Sequence, residues 1–277
     1  MRKLYIAILV ALTCISCGDN GEKKAGEKLV LAEKALAEGD YNQAKIQIDS
    51  IKTLYPKAFK ARRAGLKLKQ DVEYKEQQQA LVYLDSILTE KQQAFENIKG
   101  RFVLEKNAEY QDIGNYFMPT QTVEKNLHRT FLRFQVSELG ELSMTSIYCA
   151  PRNIHHTRVK VTAPDGTFAE TPASVDTYET SDMGVKIEQA DFKLGRDGDV
   201  IGFISLNHDK NLRIEYLGDR TYKTTLSANE KKAAAELYHL AQLLSSIQQI
   251  KKEIKEAHLK MDFIQKNREK AAEEPAG

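Results

Sequence analysis

Hydrophobic and polar positions follow two different periods along this chain, and the change of period divides it into parts. From Asn229 to Ala272 there is no Gly or Pro, and Leu240, Leu243, Ile247, Ile250, Ile254, Ala257, Met261 and Ile264 succeed one another at alternating spacings of 3 and 4. That spacing keeps one apolar stripe on one face of a helix. Lys57 to Lys99 carries a matching stripe in Leu81, Leu84, Leu88, Phe95 and Ile98, interrupted at Lys91. Each stretch predicts a helix of roughly 65 Å at about 1.5 Å per residue. Between Arg101 and Thr225 the period falls to two. Strands are expected at Thr130–Val136, Glu141–Tyr148, Thr157–Val161, Gly184–Ile187, Val200–Leu206 and Asn211–Tyr216. Turn chemistry separates them at Pro164-Asp165-Gly166, Gly195 to Asp199 and Asn207 to Asn211.

The expected fold class is therefore α+β: long antiparallel coiled-coil helices flanking an antiparallel β-sandwich or barrel. Residues 57–100 form the first long helix, 101–226 the β domain, 227–272 the second long helix and 273–277 a disordered tail. The equal helix lengths predict a stalk carrying the β domain at its tip. The competing arrangement packs the last helix on an N-terminal helical hairpin instead, and a coiled coil of this length can also pair between chains.

The chain begins with Arg2 and Lys3, then an apolar run from Leu4 to Ile15, then Ser16-Cys17-Gly18. The run is too short for a bilayer span, which needs about 20 residues, and its flanks are those of a secretory leader. Ile15-Ser16-Cys17 resembles a bacterial lipobox, with Cys14 where Leu is usual. The resemblance implies cleavage after residue 16, a lipid on Cys17 and membrane attachment at the cell envelope, in the outer membrane, with periplasmic and surface facing both open. Residues 17–26 mix Gly, Lys, Glu and Asn without period, and are expected to be a flexible tether. Residues 27–56 hold Leu31, Ala32, Gly39, Tyr41, Ala44 and Pro56 at places that resemble one tetratricopeptide repeat, which implies a helical hairpin. No second repeat follows, so no repeat groove is expected. The whole pattern resembles the uncharacterised lipoproteins of the Bacteroidota.

Charge narrows the function classes. Loss of residues 1–16 removes Arg2 and Lys3, so Lys+Arg falls from 41 to 39 against 39 Asp+Glu. A formally neutral body argues against nucleic acid as a partner. The local exception is Lys57, Lys60, Arg62, Arg63, Lys67 and Lys69, with no acid between Lys57 and Gln70. Helix starts favour acids because the dipole is positive there. Lys60, Arg63 and Lys67 are therefore candidate contacts to an anionic surface, against the plainer reading of a solvated face paired with acids of neighbouring helices.

Chemistry-bearing motifs are scarce. His155-His156 matches metal ligands by residue type alone, but neighbours on a strand point to opposite faces. Asp197-Gly198-Asp199 lacks the alternating carboxylates and closing Glu of a calcium loop and reads as a turn. With Cys17 lipidated, Cys149 is the only thiol left, in the apolar stretch Ile147 to Ala150, and is expected to be buried and structural. No nucleophile elbow, zinc-protease pair, phosphate loop or dinucleotide turn is present. No catalytic, cofactor or metal residues are assigned. The expected function is a non-enzymatic interaction or scaffold lipoprotein with an envelope protein partner. The alternative is a glycan or small-ligand binding module that uses Tyr110, Tyr116, Tyr148, Tyr178 and Tyr216 as a stacking surface, and a hydrolase comes third.

Overall fold

The structure, a computed structural model, describes residues 18–107 and 109–273. The leader 1–16 and Cys17 lie outside the described residues. The fold is α+β, with five α-helices and two antiparallel sheets among the described residues. It divides into two compact units, one comprising the chain up to Ser86 and from Lys252 onward, the other Ile87–Lys251. Among the described residues no helix is long and apolar enough to cross a membrane.

In the first unit α1 (Gly18–Ala37) and α2 (Tyr41–Leu54) form a hairpin, followed by α3 (Phe59–Lys99). Gly39 turns the chain at φ 76°, a left-handed conformation that L side chains resist. Asp40 then caps α2, its carboxylate accepting from Gln43 N–H at 2.9 Å. Ala32, Ala35 and Ala44 are small enough to bring α1 and α2 close, and Ile48 and Val72 complete that core. The expected tether is not a tether, because α1 begins at Gly18. Ala25 is fully buried and packs with Ile51, Ala58 and Ala61, so tertiary contact outweighs the helix cost of Gly21 and Gly26. The C-terminal part of α5 (Ala228–Glu273) also belongs here. Ala257 and Ile264 are buried, and Arg268 pairs with Asp71 at 2.6 Å while stacking on Tyr74.

The second unit holds the strands. They are β1 (Val103–Glu105), β2 (Asn115–Phe117), β3 (Phe131–Ser137), β4 (Leu142–Ala150), β5 (Arg158–Thr162), β6 (Phe168–Glu170), β7 (Thr177–Asp182), β8 (Val185–Lys193), β9 (Arg213–Leu217) and β10 (Thr221–Thr225). One sheet runs β1-β2-β3-β4-β8-β7, the other β10-β9-β5-β6, and the two do not close into a barrel. Alternation aims Phe134, Met144 and Phe192 of the first sheet and Val159, Val161, Ile214 and Tyr216 of the second into one core.

Two helical segments share that core. The apolar run Val200–Leu206, expected as a strand, is α4. Asp197, fully buried, accepts from Gly195 N–H at 3.1 Å and Ile201 N–H at 2.7 Å, and this fastens the first turn. Val200, Ile201 and Ile204 then face inward at helical spacing. The N-terminal half of α5 contributes Ala233, Ala234, Leu237, Leu240, Ala241 and Leu244. Its start is fixed by Glu230, which accepts from Ser227 N–H at 2.9 Å and also from Leu132 N–H of β3 at 2.8 Å. The early part of the α5 stripe is therefore built into the β domain rather than reserved for a helix partner. The end of α3 joins it, with Phe95 and Ile98 against the core and Arg101, just beyond, paired with Glu236 at 3.3 Å.

Candidate functional site

The most chemically suggestive constellation lies on the inner face of the six-stranded sheet. Ser146 of β4 pairs across to Ala190 of β8, and Glu188 stands opposite Tyr148, so both side chains point between the sheets. The connection from β4 to β5 carries His155 and His156 across them. Glu188 holds that connection by accepting the backbone N–H groups of Ile154, His155 and His156 at 2.6, 3.0 and 2.9 Å. It also meets His156 Nδ1 at 2.9 Å, and His156 Nε2 meets Ser146 Oγ at 2.8 Å. An ionised carboxylate only accepts, so Nδ1 carries a proton; Nε2 lies within reach of both the Ser146 hydroxyl and, at 3.3 Å, the Ser146 carbonyl, while the hydroxyl also reaches the Ala190 carbonyl at 3.3 Å. Burial alone would push Glu188 up. The backbone N–H and imidazole of His156, with the N–H groups of His155 and Ile154, outweigh it and hold the carboxyl below its usual range.

Serine, histidine and carboxylate thus line up as in a nucleophilic relay. Access decides what the relay can do. Ser146, His156 and Glu188 are 0%, 2% and 1% exposed, and Tyr148 and Tyr216 pack edge-on against the His156 ring. Ser146 sits mid-strand, paired with Leu132 of β3 on one side and Ala190 of β8 on the other, where the ladder engages the surrounding peptide groups. In this state the array works as a buried polar clamp joining β4, β8 and the entry to β5. Neither Ser146 nor Glu188 stands out in the sequence. The available signal is a polar residue at an inward place of each strand.

His155, Glu179 and Glu188 bring ligand atoms within 4.8 Å of one another. Glu188 has no lone pair to spare, because its two oxygens already accept four hydrogen bonds. Glu179 is engaged as well, with His155 Nδ1 at 2.7 Å and Asn153 Nδ2 at 2.7 Å. The Glu179 carboxylate raises the His155 imidazole above its ordinary range. The cluster is an ion-pair network on these contacts.

The residues singled out from sequence are scattered. Lys60, Arg63 and Lys67 lie exposed on α3 and make no ion pair among the described residues. Lys69 differs, pairing with Asp49 at 2.8 Å, and Arg62 donates to the Pro56 carbonyl at 2.8 Å. Cys149 is half-buried, and burial pushes its thiol up, away from a reactive thiolate. Asp197 serves α4, and Asp199 stands at the head of that helix with φ 65°. The expected tyrosine surface is not one surface. Tyr148 and Tyr216 are in the core, Tyr116 packs edge-on against Phe95, and Tyr110 and Tyr178 are exposed.

What the β domain does offer outward is the other face of the six-stranded sheet. One cleft of about 170 Å³ is floored by Phe131, Ile147 and Ile187 and flanked by Arg133 and His128. A second of about 510 Å³ is lined by Asn115, Gln135, Ser137, Ser143, Lys193 and Arg196. At one edge of the sheet all six residues of β7 are exposed, with Val175 before it and Met183 after it also open to solvent. The chain matches no protein-family model, no curated protein and no solved structure.

Proposed function

We propose that this chain is a cell-envelope lipoprotein, anchored through Cys17, that acts without catalysis by presenting its β domain to a protein partner. The observation that carries the reading is the open edge of the six-stranded sheet. An exposed edge strand offers a row of unpaired N–H and C=O groups, and proteins normally shield such edges. Here β7 is exposed along its length, and Val175, Tyr178 and Met183 add apolar anchors beside it. An extended segment of a partner can continue the sheet there, its main chain giving affinity and its alternate side chains specificity. The sealed relay and the raised Cys149 thiol favour binding over chemistry.

A photo-crosslinking side chain placed at Tyr178 or Met183 in intact cells is expected to trap a discrete envelope protein. The same side chain at the exposed Val82 gives the background. Equal products at the three positions would remove β7 as the contact. A second reading rests on the amide- and hydroxyl-lined cleft, whose chemistry suits a glycan. Binding on a glycan array that is lost in Gln135→Ala and Asn115→Ala variants would favour it.

A further inference from the structure

The inward face of α3 at its start is Ala61, Gly65 and Val72, all buried in the helical unit, with the buried Ala58 just before it. At about 100° per residue, Arg63 falls on the opposite side, with Phe59 and Leu66 on one flank of it and Lys60 and Lys67 on the other. This outer face is not purely polar, as a solvated face would be. Phe59 is 71% exposed and Leu66 67% exposed, each set among cations. No residue from Lys57 to Gln70 is acidic, and Lys60, Arg63 and Lys67 have no ionic partner among the described residues. The surface that complements such a face carries fixed negative charge with an apolar layer directly beneath it.

The fold also places this face at the end of the unit where the chain enters. The Glu22 carboxylate on α1 accepts the N–H groups of Lys60 and Ala61 at 3.1 and 3.3 Å, supplying the acid that the start of α3 lacks. Glu22 is four residues along α1 from Gly18, a rise of about 6 Å. Continuous helix in place of a tether keeps Lys60 and Phe59 near the start of α1.

We propose that Phe59, Lys60, Arg63, Leu66 and Lys67 dock the helical unit on an anionic phospholipid bilayer. The cations meet phosphates, and the two apolar side chains enter the interfacial layer. The proposal rests on the reading that Cys17 carries the lipid, to which the face adds a second, electrostatic attachment that orients the body. The test uses the unacylated full chain, Cys17→Ser, sedimented with vesicles of three parts phosphatidylcholine to one of phosphatidylglycerol, and with phosphatidylcholine alone. Adding Lys60→Gln, Arg63→Gln and Lys67→Gln to that chain is expected to weaken partition onto the anionic vesicles roughly a hundredfold. Phe59→Ser with Leu66→Ser is expected to weaken it further while leaving its salt dependence in place. The leader is common to every variant, so the differences report the face, and circular dichroism checks that each variant keeps its helices. Equal partition of the parent and triple variant, or of the parent onto both vesicle types, overturns the docking face. Palmitate labelling of the chain with Cys17 intact reads the anchor separately. Loss of that labelling would overturn the anchor on which the orientation rests, whatever the vesicles show.

Discussion

Glu188 carries more of the β domain's local order than any other single acid described. It stabilises the ionised form of its own carboxyl by collecting three backbone N–H groups and an imidazole. Its folded pKa is lowered, so its contribution to stability is complete above the ordinary carboxylate range and is lost as pH falls through the lower folded value. Glu188→Gln keeps the shape but halves the accepting oxygens and removes the charge facing His156. The variant is expected to unfold at lower urea concentration at neutral pH, by roughly 3 kcal/mol. It is also expected to show a flatter loss of stability on acidification, read from urea midpoints across the acid range. An unchanged acid limb would assign the sensitivity to other carboxylates.

Among the elements, α4 shows how one side chain decides between conformations. Val-Ile-Gly-Phe-Ile-Ser-Leu is rich in strand formers, and its composition alone favours a strand. The carboxylate of Asp197 takes up Ile201 N–H at the helix start and Gly195 N–H in the turn before it. Asp197→Ala leaves the N–H of the buried Ile201 without that acceptor. A cost of about 1–3 kcal/mol is expected, read as a lowered melting temperature with the sheets retained. Long helices are legible in the sequence because a 3-4 spacing sustained over many turns fits the helical repeat and no strand period. The strands β3, β4, β5 and β9 are legible from alternation and turn residues. The short strands β1, β2, β6, β7 and β10 are not, since three to six residues leave little alternation to read and those of β1, β7 and β10 are mostly exposed.

Across the whole molecule, each long helix belongs to two units, and the β domain is completed by residues far from it in sequence. Leu237 and Leu240 of α5 are fully buried among strands of both sheets. Leu237→Ala is expected to destabilise the β domain by about 2–5 kcal/mol although it alters only a helix. The check is the near-ultraviolet signal of the Tyr148, Tyr216 and Tyr222 cluster, which should melt earlier. A normal tyrosine signal would mean that α5 is dispensable to the sheets. The fold class, the two long helices, the hairpin at Gly39 and the strongest turns are written locally, because periodicity and turn chemistry are properties of a short stretch of chain. Residues 18–26 are helical, Val200–Leu206 is a helix, and Ser146, His156 and Glu188 meet in a sealed line only through contacts made in the folded molecule. Those outcomes depend on partners supplied from elsewhere: Ile51 and Ala58 for α1, a buried carboxylate for α4, and two strands with a crossing loop for the clamp. Local pattern records what a segment prefers, whereas burial and hydrogen-bond satisfaction across the fold fix what it becomes.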